Sequence, residues 1–402
     1  MLTVEEALDQ ILTRAPILQT ESVDVTAALG RVLAEPIASR REIPPWPNSS
    51  MDGYAVRSGD TRGGPTRLLV VGRVAAGALP SRAVQTGEAI RIFTGAPLPD
   101  GADAVVPQED VEVDGDNVRV PGSVGTGAFV RPRGEDVRPG DHVLAPGQRL
   151  GPAEIGLLAT LGHSPVRIYR RPRVAILSTG NELADLGVEP GPGQIPNTNT
   201  YSLTAQVCEA GAIPLNLGIA PDRLEAIEER LAWGRDADVL VSSAGVSVGE
   251  HDLVREALTR SGAELHLWLV SMRPGKPITF GSLGRKLVFG LPGNPVSAMV
   301  TFELFVRPAL LRMQGSTVVA RPRLRVRARS PIPNPGHRRG YLRVRLEQGH
   351  DGLEAELTGD QGSAILRSMT LADGLAVVPG DTVIPVGGTV DVILLRGLDR
   401  VG

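Results

Sequence analysis

The chain has 402 residues, 42% of them hydrophobic, a formal net charge of −3 and one cysteine. That length can bury real cores and suggests about three domains of roughly 150 residues, while the near-neutral charge argues against nucleic acid or an acidic membrane as partner. Cys208 alone excludes an internal disulfide and fits a reducing cytoplasm, the acidic start Met1-Leu-Thr-Val-Glu-Glu does not read as a signal peptide, and no stretch has the apolar length of a membrane span.

Residues 1 to 40 read as helical, with Thr3 as N-cap and Glu6 completing a capping box. The run Pro44-Pro-Trp-Pro-Asn-Ser-Ser-Met-Asp-Gly-Tyr-Ala55 cannot continue a helix and marks an ordered loop or domain crossing. From about Val56 to Gly140 come short strands such as Leu68–Val71, Ala89–Phe93 and Ala104–Val106, separated by Gly and Asp. Helical text returns at Pro152–Leu161. The expected organisation is therefore a discontinuous helical domain of residues 1–45 and 141–171, interrupted by a β-rich domain of residues 46–140.

Residues 172–316 alternate strand and helix and read as a doubly wound α/β domain. Three units within it share one design, an apolar run that breaks into polar or glycine residues. They are Arg173-Val-Ala-Ile-Leu-Ser-Thr-Gly-Asn-Glu-Leu183, Val239-Leu-Val-Ser-Ser-Ala-Gly-Val-Ser-Val-Gly-Glu-His-Asp252 and Lys286-Leu-Val-Phe-Gly-Leu-Pro-Gly-Asn-Pro-Val-Ser-Ala298. Loops that follow parallel strands and lead into helices offer unpaired N–H groups to anions, and they meet at the carboxyl edge of such a sheet. Glycines that merely permit tight turns are the competing reading. Neither G-x-G-x-x-G nor G-x-x-x-x-G-K-[ST] is present in these loops, which argues against a dinucleotide dehydrogenase and a P-loop NTPase. Cys208, in the helical text Leu203-Thr-Ala-Gln-Val-Cys-Glu-Ala, reads as a small buried apolar residue.

Of 42 basic residues only Lys276 and Lys286 are lysines. Lys286 opens a strand. Lys276 lies between Gly275 and Pro277 in a turn, where it is either an oxyanion ligand or a solvated turn lysine. Residues 317–402 turn to strand text again, with Arg321–Arg329 and Tyr341–Leu346 alternating arginine and apolar residues. Solvated strand faces explain that alternation better than a nucleic-acid surface, since no aromatics interleave, and the segment reads as a β-barrel or sandwich. The six histidines (142, 163, 251, 266, 337 and 350) form no local metal motif, and Ser297 lacks the G-x-S-x-G elbow of a serine hydrolase.

Seven segments in order, Met51-Asp-Gly-Tyr-Ala55, Thr94-Gly-Ala-Pro97, Arg133-Gly-Glu-Asp136, Ser178-Thr-Gly-Asn-Glu-Leu183, Gly245-Val-Ser-Val-Gly-Glu250 with Asp252, Pro274-Gly-Lys-Pro277 and Gly290-Leu-Pro-Gly-Asn-Pro295, strongly resemble the molybdopterin molybdenumtransferases, the MoeA and gephyrin E-domain family. The resemblance runs from about residue 1 to 400. It implies a multidomain α/β plus β protein with a discontinuous helical domain, an inserted β-rich domain, a central molybdopterin-binding α/β domain and a C-terminal β-barrel. The implied reaction inserts molybdate into adenylylated molybdopterin and releases AMP, with Mg²⁺ as metal. A cytoplasmic homodimer with its cleft shared between subunits, and a molybdopterin adenylyltransferase as partner enzyme, are implied as well.

Carried over by position, the resemblance gives Asp52, Thr94, Asp136, Glu182 and Asp252 catalytic roles, with Glu182 and Asp252 holding the metal. Substrate binding falls to Ser178, Thr179, Asp222, Ser243, Gly245, Val246, Ser247, Gly249, Arg273, Lys276, Pro292, Gly293, Asn294 and Ser363. Both substrates are anions, which suits backbone amides of the Gly245–Gly249 loop and of the helix starting at Pro295, with Arg273 and Lys276 as cations. The chain departs from the family at Ala244, where glycine is usual, at Leu269 for a lysine, at Asn181 for an aspartate, and at Pro196-Asn197 for Tyr-Asp. A free-standing molybdopterin adenylyltransferase and a gephyrin-like peptide-binding scaffold are the alternative functions. The first lacks the flanking domains, and nothing fused to this chain supports the second.

Overall fold

Backbone and side chains of residues 1–243 and 253–398 are described by a computed structural model, in which the chain divides into two units. One comprises Met1–Ala34, Pro146–Ile155 and Ser164–Gly402, the other Glu35–Ala145 and Gly156–His163. No helix among the described residues is long and apolar enough to cross a membrane.

The second unit is built on short apolar runs that form a six-stranded sheet. Its strands are β1 (Gly53–Val56), β2 (Thr66–Val74), β3 (Glu88–Ile92), β4 (Ala104–Pro107), β5 (Glu112–Asp114) and β6 (Asn117–Val120), in the order β4-β1-β3-β2-β6-β5. Both faces are covered: Tyr54, Val56, Leu68 and Val106 pack on one side, Ala55, Ile90, Ile92 and Val105 on the other. This explains why all four residues of β1 are buried. Gly53 is obligatory at its start, because a Cβ there would run into the Val106 carbonyl on β4.

In the first unit α1 (Val4–Arg14) begins at the expected capping box: the Glu6 N–H donates to Thr3 Oγ1 (3.1 Å) and the Thr3 N–H to Glu6 Oε2 (2.7 Å). The helix stops well short of residue 40. Pro16 cannot extend it, and β-branched text follows. Thr20–Val23 is instead a strand paired with Val166–Tyr169, and Val25–Ala28 a 3₁₀ turn capped by Asp24. The expected helix α2 (Pro152–Leu161) forms, with Pro152–Ile155 in this unit and Gly156–Leu161 in the other.

Strands β7 (Arg173–Thr179), β8 (Ile213–Ala220), β9 (Val239–Ser243), β10 (Glu264–Leu269), β11 (Pro277–Leu283) and β12 (Lys286–Leu291) make a sheet in the order β8-β7-β9-β12-β11-β10. The first four in that order run parallel, and β11 and β10 close one edge antiparallel. Helices cover both faces. On one, α3 (Thr198–Glu209), α6 (Pro295–Thr301) and α7 (Arg307–Met313) bury Leu203, Val296 and Leu310 with α1; on the other, α4 (Leu224–Trp233) and α5 (Leu253–Arg260) bury Ile227, Val254 and Leu258. This is the doubly wound arrangement.

Five C-terminal strands, β13 (Arg323–Ala328), β14 (Arg339–Gly349), β15 (Gly352–Leu357), β16 (Gly374–Val378) and β17 (Thr389–Leu394), pair in a ring. The pairs are β13 with β17, β17 with β16, β16 with β14, β14 with β15, and β15 with β13. The barrel is closed, which removes open edges.

Two local expectations are corrected. Arginines 323, 325 and 327 do face solvent, but Arg343 is fully buried. Its N–H groups donate to Ser368 Oγ (3.0 Å) and the Gly362 carbonyl (3.0 Å), and burial pushes its pKa down to about 10. Cys208 lies on α3 as expected, yet it is exposed, because the buried stripe Leu203, Gln206, Val207 and Ala210 leaves it off the packed face.

Candidate functional site

Three strands of the central sheet end at one level. Parallel register aligns Ser178 of β7 with Ser243 of β9, and Ser243 with Leu291 of β12, so the three strand ends lie side by side. The strand order reverses between β7 and β9, where a ligand crevice is expected in such sheets. A cavity of about 580 Å³ lies there, lined by Thr179, Glu182, Asn197, Asn199, Ser243, Gly293 and Asn294, with Ala364 from the C-terminal segment.

Several bonds fix its walls. Asn199 Nδ2 donates to Ser243 Oγ and to the Gly293 carbonyl, both at 2.6 Å, tying the end of β9 and the β12 loop to the start of α3. Asn294 Nδ2 donates to Ser363 Oγ (3.0 Å), and the Val296 N–H to the Ser363 carbonyl (3.1 Å). Ser363 thus caps α6, and one of the amides expected to face an anion is already engaged. Gly180 has a φ of +144°, and a Cβ there would collide with the Glu182 carboxylate. The carboxylate could swing away, so it is the left-handed φ that favours glycine here.

The structure brings Thr179, Glu182, Ser243, Gly293 and Asn294 together at the crevice, with Ser363 against Asn294. Ser178 is fully buried, its hydroxyl hydrogen-bonded to that of Thr200 at 2.7 Å, and neither Ser178 nor Pro292 lines the cavity. Asp222 is exposed and exchanges bonds with Asn181: the Asn181 N–H donates to Asp222 Oδ2 and the Asp222 N–H to Asn181 Oδ1, each at 3.2 Å. Arg273 and Lys276 flank a turn that packs on α6, where a Cβ on Gly275 would strike Thr301 Oγ1. Arg273 reaches the Pro335 carbonyl at 3.5 Å, and the Lys276 side chain has no hydrogen-bond partner among the described residues. Gly245, Val246, Ser247, Gly249 and Asp252, with Ala244 and His251, lie outside the described residues.

In the other unit Asp52 and Thr94 meet. The Thr94 N–H and hydroxyl both donate to Asp52 Oδ1 at 2.8 Å, and these two bonds, the backbone one foremost, hold the carboxyl below its usual range. Arg91 adds a weaker attraction while its guanidinium lies over the rings of Tyr54 (4.9 Å) and Phe93 (5.3 Å). Asp136 is exposed on a separate turn, its N–H donating to the Ile43 carbonyl (2.9 Å).

Sequence reasoning missed Asn199. Its Oδ1 is buried without a partner while Nδ2 bridges two loops. The available signal was Asn197-Thr-Asn199, polar text at a helix start beside a predicted anion loop.

Family models match most of the chain: "MoeA N-terminal region (domain I and II)" over residues 2–162, "Probable molybdopterin binding domain" over 175–312, and "MoeA C-terminal region (domain IV)" over 325–395. A molybdopterin molybdenumtransferase of Nostoc sp. is 39% identical over 94% of this chain and 88% of its own length. One of Haemophilus influenzae is 34% identical over 94% of both chains. The crystal structure of a molybdopterin biosynthesis MoeA protein from Pyrococcus horikoshii OT3 superposes with a TM-score of 0.84 at 30% identity, covering 98% of this chain and all of the other. With matches of this extent across every part of the fold, the chain belongs to the MoeA family of molybdopterin molybdenumtransferases.

Proposed function

We propose that the protein inserts molybdate into the dithiolene of adenylylated molybdopterin, cleaving the phosphoanhydride and releasing AMP, in molybdenum cofactor biosynthesis. The observation that carries this reading is the meeting of the β7 and β12 loops, the end of β9 at Ser243 and the Ser363 segment at one polar crevice at the sheet's switch point, in a chain of this family. Its size suits a small organic anion. Thr179, Ser243, Gly293, Asn294 and Ser363 would orient the pterin phosphate side, with Ser178, Asp222 and Pro292 shaping the loops beneath, and Gly245, Val246, Ser247 and Gly249 would add backbone amides for the same anion. Arg273 and Lys276 would hold the second anion, molybdate.

Among the described residues no three acids, histidines or cysteines cluster to hold a metal unaided. One placed carboxylate, Glu182, is nonetheless compatible with Mg²⁺, which is commonly held by one or two carboxylates together with substrate phosphates and water. Glu182 stands at the crevice, and with Asp252 it would hold the ion, which when bound offsets negative charge at the anhydride. Asp52, Thr94 and Asp136 would complete the cleft from a second copy in a cytoplasmic homodimer, and a molybdopterin adenylyltransferase would supply the substrate. The four-domain division at residues 45, 140, 171 and 316 belongs to the same proposal. The length of the match to the transferases favours this reading over a free-standing adenylyltransferase or a scaffold.

The test is to incubate the purified protein with adenylylated molybdopterin, molybdate and Mg²⁺ and to follow AMP. Release that requires molybdate supports the assignment; intact substrate after many hours overturns it.

A further inference from the structure

The parallel sheet carries a second polar concavity, at the end opposite the crevice. Strand β7 begins at Arg173 and β8 at Ile213, and both residues line a cavity of about 480 Å³ together with Glu21, Arg31, Arg170 and Arg171. With seven residues in β7, this cavity and the crevice are separated by about 20 Å of strand.

Four guanidiniums line the cavity, and only two carboxylates answer them. Arg31, 8% exposed, donates to Glu21 Oε1 (2.5 Å) and to the Tyr169 carbonyl (2.9 Å). Arg170 makes a bidentate pair with Asp238, at 2.8 and 2.6 Å, and Asp238 also accepts the Arg173 N–H at 2.8 Å. Those bonds lock two of the arginines into a fixed wall. Arg171 and Arg173 are exposed, and their side chains have neither an ion-pair nor a hydrogen-bond partner among the described residues. Asp238 also attracts Arg173, and with Glu21 and Asp238 set against the four guanidiniums the cavity carries a net charge of about +2 on preorganised supports, which balances that of a phosphate dianion. Guanidinium forks also match phosphate oxygens in geometry, and the restraint on their neighbours lowers the ordering cost of binding.

We propose that this cleft, formed by Arg31, Arg170, Arg171 and Arg173 at the amino ends of β7 and β8, binds a phosphate-bearing small molecule. Its volume exceeds that of one phosphate, so the group recognised belongs to a larger metabolite or to a chain of phosphates. The inference stands whether or not the crevice performs the reaction proposed above.

Calorimetric titration of the full chain with inorganic phosphate and, separately, pyrophosphate tests it. Three proteins are compared: wild type, Arg171→Ala/Arg173→Ala, and Arg273→Ala/Lys276→Ala. The expected result is a binding component that weakens at least tenfold in the first variant, persists in the second, and weakens with added salt. Pyrophosphate binding more tightly than phosphate would identify a phosphate chain; equal affinity would identify recognition of one phosphate. Both residues are exposed, so the thermal midpoint of the first variant should match wild type, and the single charge reversal Arg171→Glu provides an independent check. Absence of any component at millimolar anion, or one that disappears only in the Arg273→Ala/Lys276→Ala protein, overturns the inference.

Discussion

Asp52 and Thr94 are joined through one oxygen: the N–H and the hydroxyl of Thr94 both reach Asp52 Oδ1 at 2.8 Å, leaving Oδ2 without a partner among the described residues. The arrangement fixes the carboxylate plane and keeps a free lone-pair edge, which suits a group meant to contact something else. Because the bonds favour the charged form, the pKa is lowered, so the stabilisation is present above the ordinary carboxyl range and is lost as pH falls through the lowered value. Thr94→Val removes the hydroxyl bond and retains the backbone one. Carboxyl-detected NMR should then show the Asp52 midpoint moving up toward the usual range without reaching it. An unmoved midpoint would mean that the hydroxyl bond contributes nothing.

Asn199→Ala should loosen the crevice more than the fold. It deletes two short bonds that tie the end of β9 and the β12 loop to α3, at an expected cost of about 1–2 kcal/mol in denaturant unfolding. The larger effect should fall on KM for the pterin substrate. Asn199→Asp retains an oxygen but loses the donor, so it should resemble alanine.

Lys276→Ala should weaken molybdate binding while shifting the thermal midpoint little, since a half-buried turn lysine without a side-chain partner contributes little to the core. Binding measured against melting for the same protein separates the two effects. A protein that melts early with unchanged affinity would make this lysine structural.

Glu182→Gln keeps the shape of an exposed side chain and removes its charge, so folding should be normal. If charge compensation at the anhydride dominates, turnover should fall on the order of a hundredfold, and the purified variant should retain adenylylated pterin by mass spectrometry. Asp252→Asn is expected to behave alike. Normal AMP release from both would shift the metal to Asp52 and Asp136.

Arg343→Leu should destabilise the chain by about 2–4 kcal/mol, because acceptors at Ser368 and Gly362 lose their donor inside a buried site. The same loop carries Ser363. Hydrogen exchange at the Val296 amide, which donates to the Ser363 carbonyl, should accelerate along with the loss of stability.

What the sequence revealed was local. The three loops announce themselves because apolar β-branched runs ending in glycine define both a strand and its exit, and the Thr3–Glu6 box sits within one helical turn. Contacts across long separations were not legible from spacing: Asn294 meets Ser363 across 69 residues, and which arginine of an alternating strand turns inward depends on how the barrel closes. The capping box fixes only where the first helix starts, and Pro16 ends it far short of residue 40. The exposure of Cys208 is legible in the pattern itself, since the spacing of Leu203, Gln206, Val207 and Ala210 sets it off the buried stripe.

That exposed thiol makes the molecule convenient to observe. Cys208 is the chain's only sulfhydryl, and it shares α3 with Asn199, about 14 Å away along the helix axis. A maleimide dye would attach at one defined position, without mutagenesis, on the same rigid rod whose first turn bridges two crevice loops. Ligand arrival could then be timed by fluorescence in stopped flow, and two labelled chains coming together would report on assembly through energy transfer.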